Sequence, residues 1–241
     1  MKKSVKLNYL LPNLFTASSI FVAIVSIIQS SKGNFEQASW LIILSLVLDG
    51  LDGKIARLTK GESQFGIEFD SLADIVAFGV APAMLIYFQI GHEYSKFGIL
   101  VTALYVVLGA VRLARFNITT SKNDPNIFIG LPIPAAALFL VSLSQIYYKY
   151  NITFLEPIIL ILALIVGILM VSNFRYLAFK KIEFKKAISY RVLILLIFIA
   201  SLLYLLPIET IAIFFTGYVI SGPIRAIYAI NRKNRFKKHK R

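Results

Sequence analysis

Asp49-Gly50-Leu51-Asp52-Gly53-Lys54-Ile55-Ala56-Arg57, followed after eight residues by Gly66-Ile67-Glu68-Phe69-Asp70-Ser71-Leu72-Ala73-Asp74, holds four of the five aspartates of the chain. The surrounding sequence is largely hydrocarbon: 58% of the 241 residues are hydrophobic, 16% are charged, and the mean hydropathy is +0.75. Such a chain is too apolar for a soluble domain and too long for a single anchor, which predicts a polytopic membrane protein. An aspartate at the centre of a membrane helix costs roughly 2.5 to 3.5 kcal/mol on insertion scales, so four unpaired ones would cost about 10 kcal/mol if fully inserted. A concentration of charge that expensive needs a compensating partner, and the search for function starts from it.

Outward from the acids, apolar runs of about 18 to 23 residues, the length a hydrocarbon core of ~30 Å requires of a helix, predict eight spans. They cover residues 12–31, 37–58, 69–90, 96–117, 131–148, 155–172, 190–206 and 209–230. The basic start Met1-Lys2-Lys3-Ser4-Val5-Lys6 could open a signal peptide, but the apolar segments continue without a polar mature domain, so the first segment is expected to be retained. A cytoplasmic N-terminus leaves only Lys32, Lys96 and Lys149 of the 26 basic residues on the opposite side. The positive-inside rule therefore predicts both termini in the cytoplasm, an even number of spans, and the aspartates at the cytoplasmic face of the cell membrane.

The net charge of +14 would suit nucleic acid, but no aromatic or folded module accompanies the basic run at its end. That run, 231–241, reads as a tail in water or against anionic headgroups, and 1–230 as one membrane domain. The absence of cysteine excludes disulfides, thiolate metal sites and Cys nucleophiles. His92 and His239 fall in a loop and in the tail, where neither is placed as a buried base.

Asp49 and Asp52 are three apart and Asp70 and Asp74 four apart, so on helices each pair projects from one face. The short connection 59–68 makes the second and third spans antiparallel neighbours and brings the pairs to one depth. A donor set of oxygens without His or Cys favours Mg²⁺, Mn²⁺ or Ca²⁺ over Zn²⁺, with one or two ions. Gly53 and Ala56 either let a neighbouring helix approach or leave room for a ligand. Lys54 and Arg57 add cations that a cation-conducting site would not want, whereas a phosphate-bearing substrate would use Arg57 on its oxygens. Gly66 suits a tight turn or a close approach before the third span. Singly, an intramembrane aspartate can pair with an arginine and do nothing else; together, the set points to chemistry.

The pattern Asp-x2-Asp-Gly-x2-Ala-Arg-x8-Gly-x3-Asp-x3-Asp resembles the signature of the CDP-alcohol phosphatidyltransferases, and Asp49, Asp52, Gly53, Ala56, Arg57, Gly66, Asp70 and Asp74 fill all eight fixed positions. The resemblance implies an all-α transmembrane bundle with a six-helix catalytic core over roughly residues 8 to 175. It also implies transfer of a phosphatidyl group from a CDP-linked lipid such as CDP-diacylglycerol to an acceptor hydroxyl, with release of CMP. By that analogy Asp49, Asp52, Asp70 and Asp74 hold Mg²⁺ or Mn²⁺, and Gly53, Ala56, Arg57 and Gly66 serve the CDP-lipid. Asp74 is also the base that takes the acceptor's proton, a role that Asp70 could share, and the protein is a homodimer.

The acceptor has to be read elsewhere. Gly109-Ala110-Val111-Arg112-Leu113-Ala114-Arg115-Phe116-Asn117 puts two arginines at the end of the fourth span. They could snorkel to the interface, or form an anion pocket in which a guanidinium grips a carboxylate through two hydrogen bonds, with Asn117 as a helper. This stretch, with Phe128-Ile129-Gly130-Leu131-Pro132-Ile133-Pro134, Leu11-Pro12-Asn13-Leu14-Phe15-Thr16 and Val171-Ser172-Asn173-Phe174-Arg175-Tyr176, is similar to the membrane-type bacterial and archaeal phosphatidylserine synthases. That similarity implies L-serine as acceptor, its carboxylate meeting Arg112, Arg115 or Arg175. The rival readings are the same reaction with glycerol 3-phosphate or inositol phosphate, and a divalent-cation transporter whose permeation site is the acids. The last two spans have no assigned task beyond packing, lipid access or dimer contact.

Overall fold

A computed structural model describes residues 7–59, 61, 63–119, 127–177 and 190–238. The lysines expected at the cytoplasmic face at positions 2, 3, 6, 60, 122, 180, 181, 185 and 186, and His239, lie outside the described residues.

The chain opens with α1 (Leu7–Ser31) and α2 (Phe35–Thr59), packed as an antiparallel pair. Their seam is built from small residues: Ser19 and Ser45 join Oγ to Oγ at 2.7 Å, Ser26 Oγ donates to Ala38 O at 2.7 Å, and Ala23 and Ala38 are fully buried. Small side chains let helix backbones approach, and in hydrocarbon their hydroxyls serve as inter-helix bonds. The third long helix has three parts: α3 (Gln64–Asp74), a π-helical turn (Ile75–Val80) and α4 (Ala81–Gln89). Ser63 caps its start by accepting from Gly66 N at 3.0 Å.

Pro82 gives the third helix its irregularity a physical context. Proline has no N–H and its ring crowds the carbonyl four residues earlier. That carbonyl is Phe78 O, and it accepts the hydroxyl of fully buried Tyr105 at 3.1 Å instead. The widened turn begins directly after Asp74.

A 3₁₀ turn (Gly91–Tyr94) leads to α5 (Ser95–Thr119), β1 (Ile127–Ile129), α6 (Ile133–Tyr150), α7 (Leu155–Val171), β2 (Arg175–Leu177), α8 (Tyr190–Leu205) and α9 (Pro207–Lys238). α6 is the hub, touching α2, α4, α5, α7 and α9. Its polar residues point into protein: Ser144 Oγ donates to Gln89 Oε1, and Gln145 Nε2 donates to Phe35 O at 3.1 Å. β1 and β2 form a short antiparallel ladder with Phe128 opposite Tyr176, tying the segment before α6 to the segment after α7. Gly130 closes that tie with φ +77°, its N–H donating to Phe174 O at 2.8 Å where a side chain would overlap Met170 O.

Each of the eight expected spans falls on one of these helices, and four helical stretches are long and apolar enough to cross a membrane: Tyr9–Ser31, Gln64–Gln89, Gly91–Ile118 and Pro207–Tyr228. Leu155–Val171 and Leu196–Leu205 are apolar but shorter. α2 is diluted by its acids and α6 by the polar residues it turns inward. The third helix starts at Gln64 rather than 69, so Gly66 lies inside its first turn instead of before it. The basic run expected as a separate tail from 231 continues α9 as helical backbone to Lys238.

The 3₁₀ turn and α5 touch backbone to backbone, because a Cβ on Gly98 would overlap Gly91 O. Gly98→Ala is therefore expected to force the two backbones apart and cost about 1 to 3 kcal/mol or more. A lowered melting temperature of the detergent-purified protein would show it, and an unchanged one would count against the contact.

Candidate active site

The aspartates meet because α2 ends and α3 begins at the same end of the bundle. One carboxylate oxygen from each of Asp49, Asp52 and Asp70 lies within 4.8 Å of the others. Two ionised carboxylates at that separation repel by about 3.5 kcal/mol at an effective dielectric of ~20. Asp52 is buried, Asp49 and Asp70 are half-buried, and Asp49 Oδ1 has no hydrogen-bond partner among the described residues. A convergent, oxygen-only donor set with an unsatisfied buried oxygen fits a hard divalent cation. Asp74 lies one turn beyond Asp70 on α3, beside this triad. Its carboxyl lies near that of Asp49 and in the neighbourhood of Arg112.

One part of the site has no counterpart in the acidic signature. Thr16 on α1, 3% exposed, donates its hydroxyl to Asp52 Oδ2 at 2.7 Å. That bond fixes the Asp52 carboxyl from the side of α1. Asn13, one turn earlier, approaches the same place, since a Cβ on Gly66 would lie 3.3 Å from Asn13 Oδ1 and 3.2 Å from Ser63 Oγ. The stretch 11–16 carried a resemblance but no role in the sequence; the polar Thr16 inside an apolar helix was the available signal.

The residues expected at the CDP-lipid divide by position. A Cβ on Gly53 would meet nothing within 4 Å, so the small residue beside the acids leaves open space rather than seating a helix. Ala56 is half-buried and Arg57 exposed, with Arg57 Nε donating to Gly53 O at 2.9 Å along its own helix. Gly66 admits Asn13 and Ser63, a close approach as expected.

The three arginines have different surroundings. Arg112 is 6% exposed, its guanidinium lies 5.1 Å from the centre of the Phe116 ring, and its Nε has no hydrogen-bond partner among the described residues. Asp74 and Tyr218 are its electrostatic neighbours. Arg115 instead closes the end of α7, donating from Nη1 to Val171 O at 2.8 Å and from Nη2 to Asn173 Oδ1 at 2.6 Å. The last carbonyls of a helix lack intrahelical donors, and a nearby guanidinium supplies them. Arg175 lies exposed on β2. Asn117 joins α5 to α3, its Nδ2 donating to Ser71 Oγ at 3.0 Å.

The chain that brings together this acidic triad, a fourth carboxyl and a buried guanidinium has relatives. The family profile described as CDP-alcohol phosphatidyltransferase matches residues 9–169. A Helicobacter pylori protein named CDP-diacylglycerol–serine O-phosphatidyltransferase is 49% identical over 224 residues, covering 91% of this chain and 92% of that one. Proteins of the same name from Methanocaldococcus jannaschii and Bacillus subtilis are 40% identical over 158 residues and 37% over 176. These alignments cover 66% of this chain and 72% of the archaeal protein, and 73% and 93% for the Bacillus pair. A cation transporter finds no support among them. The profile spans the helices that carry the triad, Asp74 and Arg112, and the chain belongs to the CDP-alcohol phosphatidyltransferase family.

Proposed function

We propose that this protein transfers the phosphatidyl group of CDP-diacylglycerol to the hydroxyl of L-serine, giving phosphatidylserine and CMP. The observation that carries the reading is the convergence of the Asp49, Asp52 and Asp70 carboxylates, with Asp74 beside them and the buried Arg112 in its neighbourhood. Three relatives named for this reaction, 37% to 49% identical to the chain, support the choice of serine.

Asp49, Asp52 and Asp70, with Asp74 beside them, would hold a divalent cation, Mg²⁺ or Mn²⁺, which would supply neutralisation of the diphosphate and stabilisation of the leaving CMP. Thr16 keeps Asp52 in register, and the space beside Gly53 and Ala56 admits the nucleotide diphosphate, with Arg57 on its oxygens. Asp74 accepts the proton of the serine hydroxyl as that oxygen forms its bond to the phosphatidyl phosphorus. The bond from that phosphorus to the bridging oxygen of the CDP group breaks, and its electron pair leaves with CMP. Arg112 holds the serine carboxylate through two parallel hydrogen bonds, which orients the hydroxyl toward Asp74. Arg115 is assigned to the α7 terminus instead of the acceptor, and Arg175 lies exposed on β2.

The reading includes eight spans with both termini in the cytoplasm, which the distribution of basic residues supports. The site then faces the cytoplasmic surface of the cell membrane, where water-soluble serine and a membrane-held nucleotide lipid both reach it. It also includes a homodimer, which the family resemblance implies.

Purified protein given CDP-diacylglycerol and L-serine is expected to release CMP. Silence with serine alongside release with glycerol 3-phosphate or inositol phosphate would replace the acceptor. Asp74→Asn is expected to cut turnover by about 100-fold or more while labelled CDP-diacylglycerol still binds; normal turnover would remove Asp74 as the base. Arg112→Ala should raise the apparent serine KM by roughly ten- to a hundredfold, the loss of a charge-assisted contact. Arg115→Ala should lower the melting temperature with the serine KM unmoved. The opposite pattern in the two arginine variants would exchange their roles.

A further inference from the structure

α9 lies wholly beyond residues 9–169, the part of the chain that the family profile matches, yet its inner half is fastened to the surroundings of Arg112. Buried Tyr218 donates its hydroxyl to Leu177 O at 3.0 Å, and its ring lies 5.5 Å from that of Tyr176. Tyr176 is fully buried, donates to Val219 O at 3.2 Å, and sits opposite Phe128 in the ladder. Phe128 meets Phe116 at 6.1 Å, and Phe116 carries the Arg112 guanidinium. Aromatic residues thus lead from α9 through the ladder to α5, with Phe128 and Tyr176 paired in register between the two ring contacts, and Tyr218 lies in the neighbourhood of Arg112. The approach of α9 is close enough that a Cβ on Gly222 would overlap the Tyr176 ring.

Arginine has substantial rotamer freedom to lose on being fixed, and fixing it before the ligand arrives raises affinity. Arg112 is buried, its guanidinium lies over the Phe116 ring, and its Nε has no hydrogen-bond partner among the described residues, so packing bears on its direction. We propose that α9 completes the acceptor pocket, with Tyr218 as the positioning residue that pre-orients Arg112 for the carboxylate of a small amino acid. This rests on the reading of Arg112 as the carboxylate-binding group.

The test varies L-serine and CDP-diacylglycerol separately in CMP-release assays on the full-length protein. Tyr218→Ala should raise the serine KM roughly tenfold and leave the CDP-diacylglycerol KM within about twofold, with kcat changed less than the serine KM. Tyr218→Phe keeps the ring and loses the Leu177 bond, so it should give a smaller rise in the serine KM alone. If the alanine variant does not fold, the phenylalanine variant decides, and a serine KM equal to the parent's would overturn the proposal. An equal rise in both KM values, or a fall in kcat alone, would overturn it too.

Glu209→Gln supplies the control for a merely structural role. It weakens the far end of α9, where Glu209 pairs with Lys149 and accepts from Tyr150 at 2.7 Å. Its melting temperature should fall and its serine KM stay put; a rise matching that of Tyr218→Ala would mean that docking of α9 in general, not Tyr218, is responsible. Failure of the parent protein to use serine would sink the acceptor reading itself. A serine-active parent in which Arg112→Ala raises the serine KM and Tyr218→Ala does not would sink only the role of Tyr218.

Discussion

The arrangement depends on holding like-charged carboxyl groups together where water is scarce. Asp49, Asp52 and Asp70 bring oxygens within 4.8 Å of one another against their mutual repulsion, and the fold must supply the force that keeps them there. It does so with two helices fixed elsewhere along their length. α2 is locked to α1 by paired serines and buried alanines, and the third helix is locked to α5 and α6 by apolar packing. The acids sit at the ends of these helices, where the strain of assembling them is carried by contacts that have no part in the chemistry.

That division of labour accounts for the irregular third helix. Its π-helical turn starts directly after Asp74 and ends just before Pro82, whose displaced acceptor, Phe78 O, is taken by Tyr105. π-helical turns recur at functional sites, and an extra residue in a turn rotates the two flanking halves of a helix relative to each other. Here Asp70 and Asp74 precede the turn, while the fully buried Ala77 and Phe78 and the Ala81–Gln89 helix pack the core. The rotation lets one helix face acids toward α2 at one end and apolar residues toward α6 at the other.

The two arginines of α5 show how the same chemistry is put to different ends by position. Three residues apart on one helix, they point at different neighbours: Arg112 into an aromatic enclosure beside Asp74, Arg115 at the carbonyl end of α7. The ladder between β1 and β2 links these environments, since it brings Tyr176 against α9 and Phe128 against Phe116. A helix outside the matched residues 9–169 thereby packs against the ladder.

The sequence by itself determined the class of the protein and its acidic centre. Both rest on local period: apolar runs of spanning length, and aspartates at three- and four-residue spacing on helices joined by a short connection, which can only meet at the shared end. The tertiary structure alone decided the contacts beyond that spacing. It seated Thr16 on Asp52 across 36 residues, turned the polar residues of α6 inward, gave Arg112 and Arg115 different neighbours and packed Tyr218 of α9 against Tyr176. These are contacts between distant segments, fixed by how helices pack, and no spacing along the chain encodes which of two neighbouring guanidinium groups will face a carboxylate.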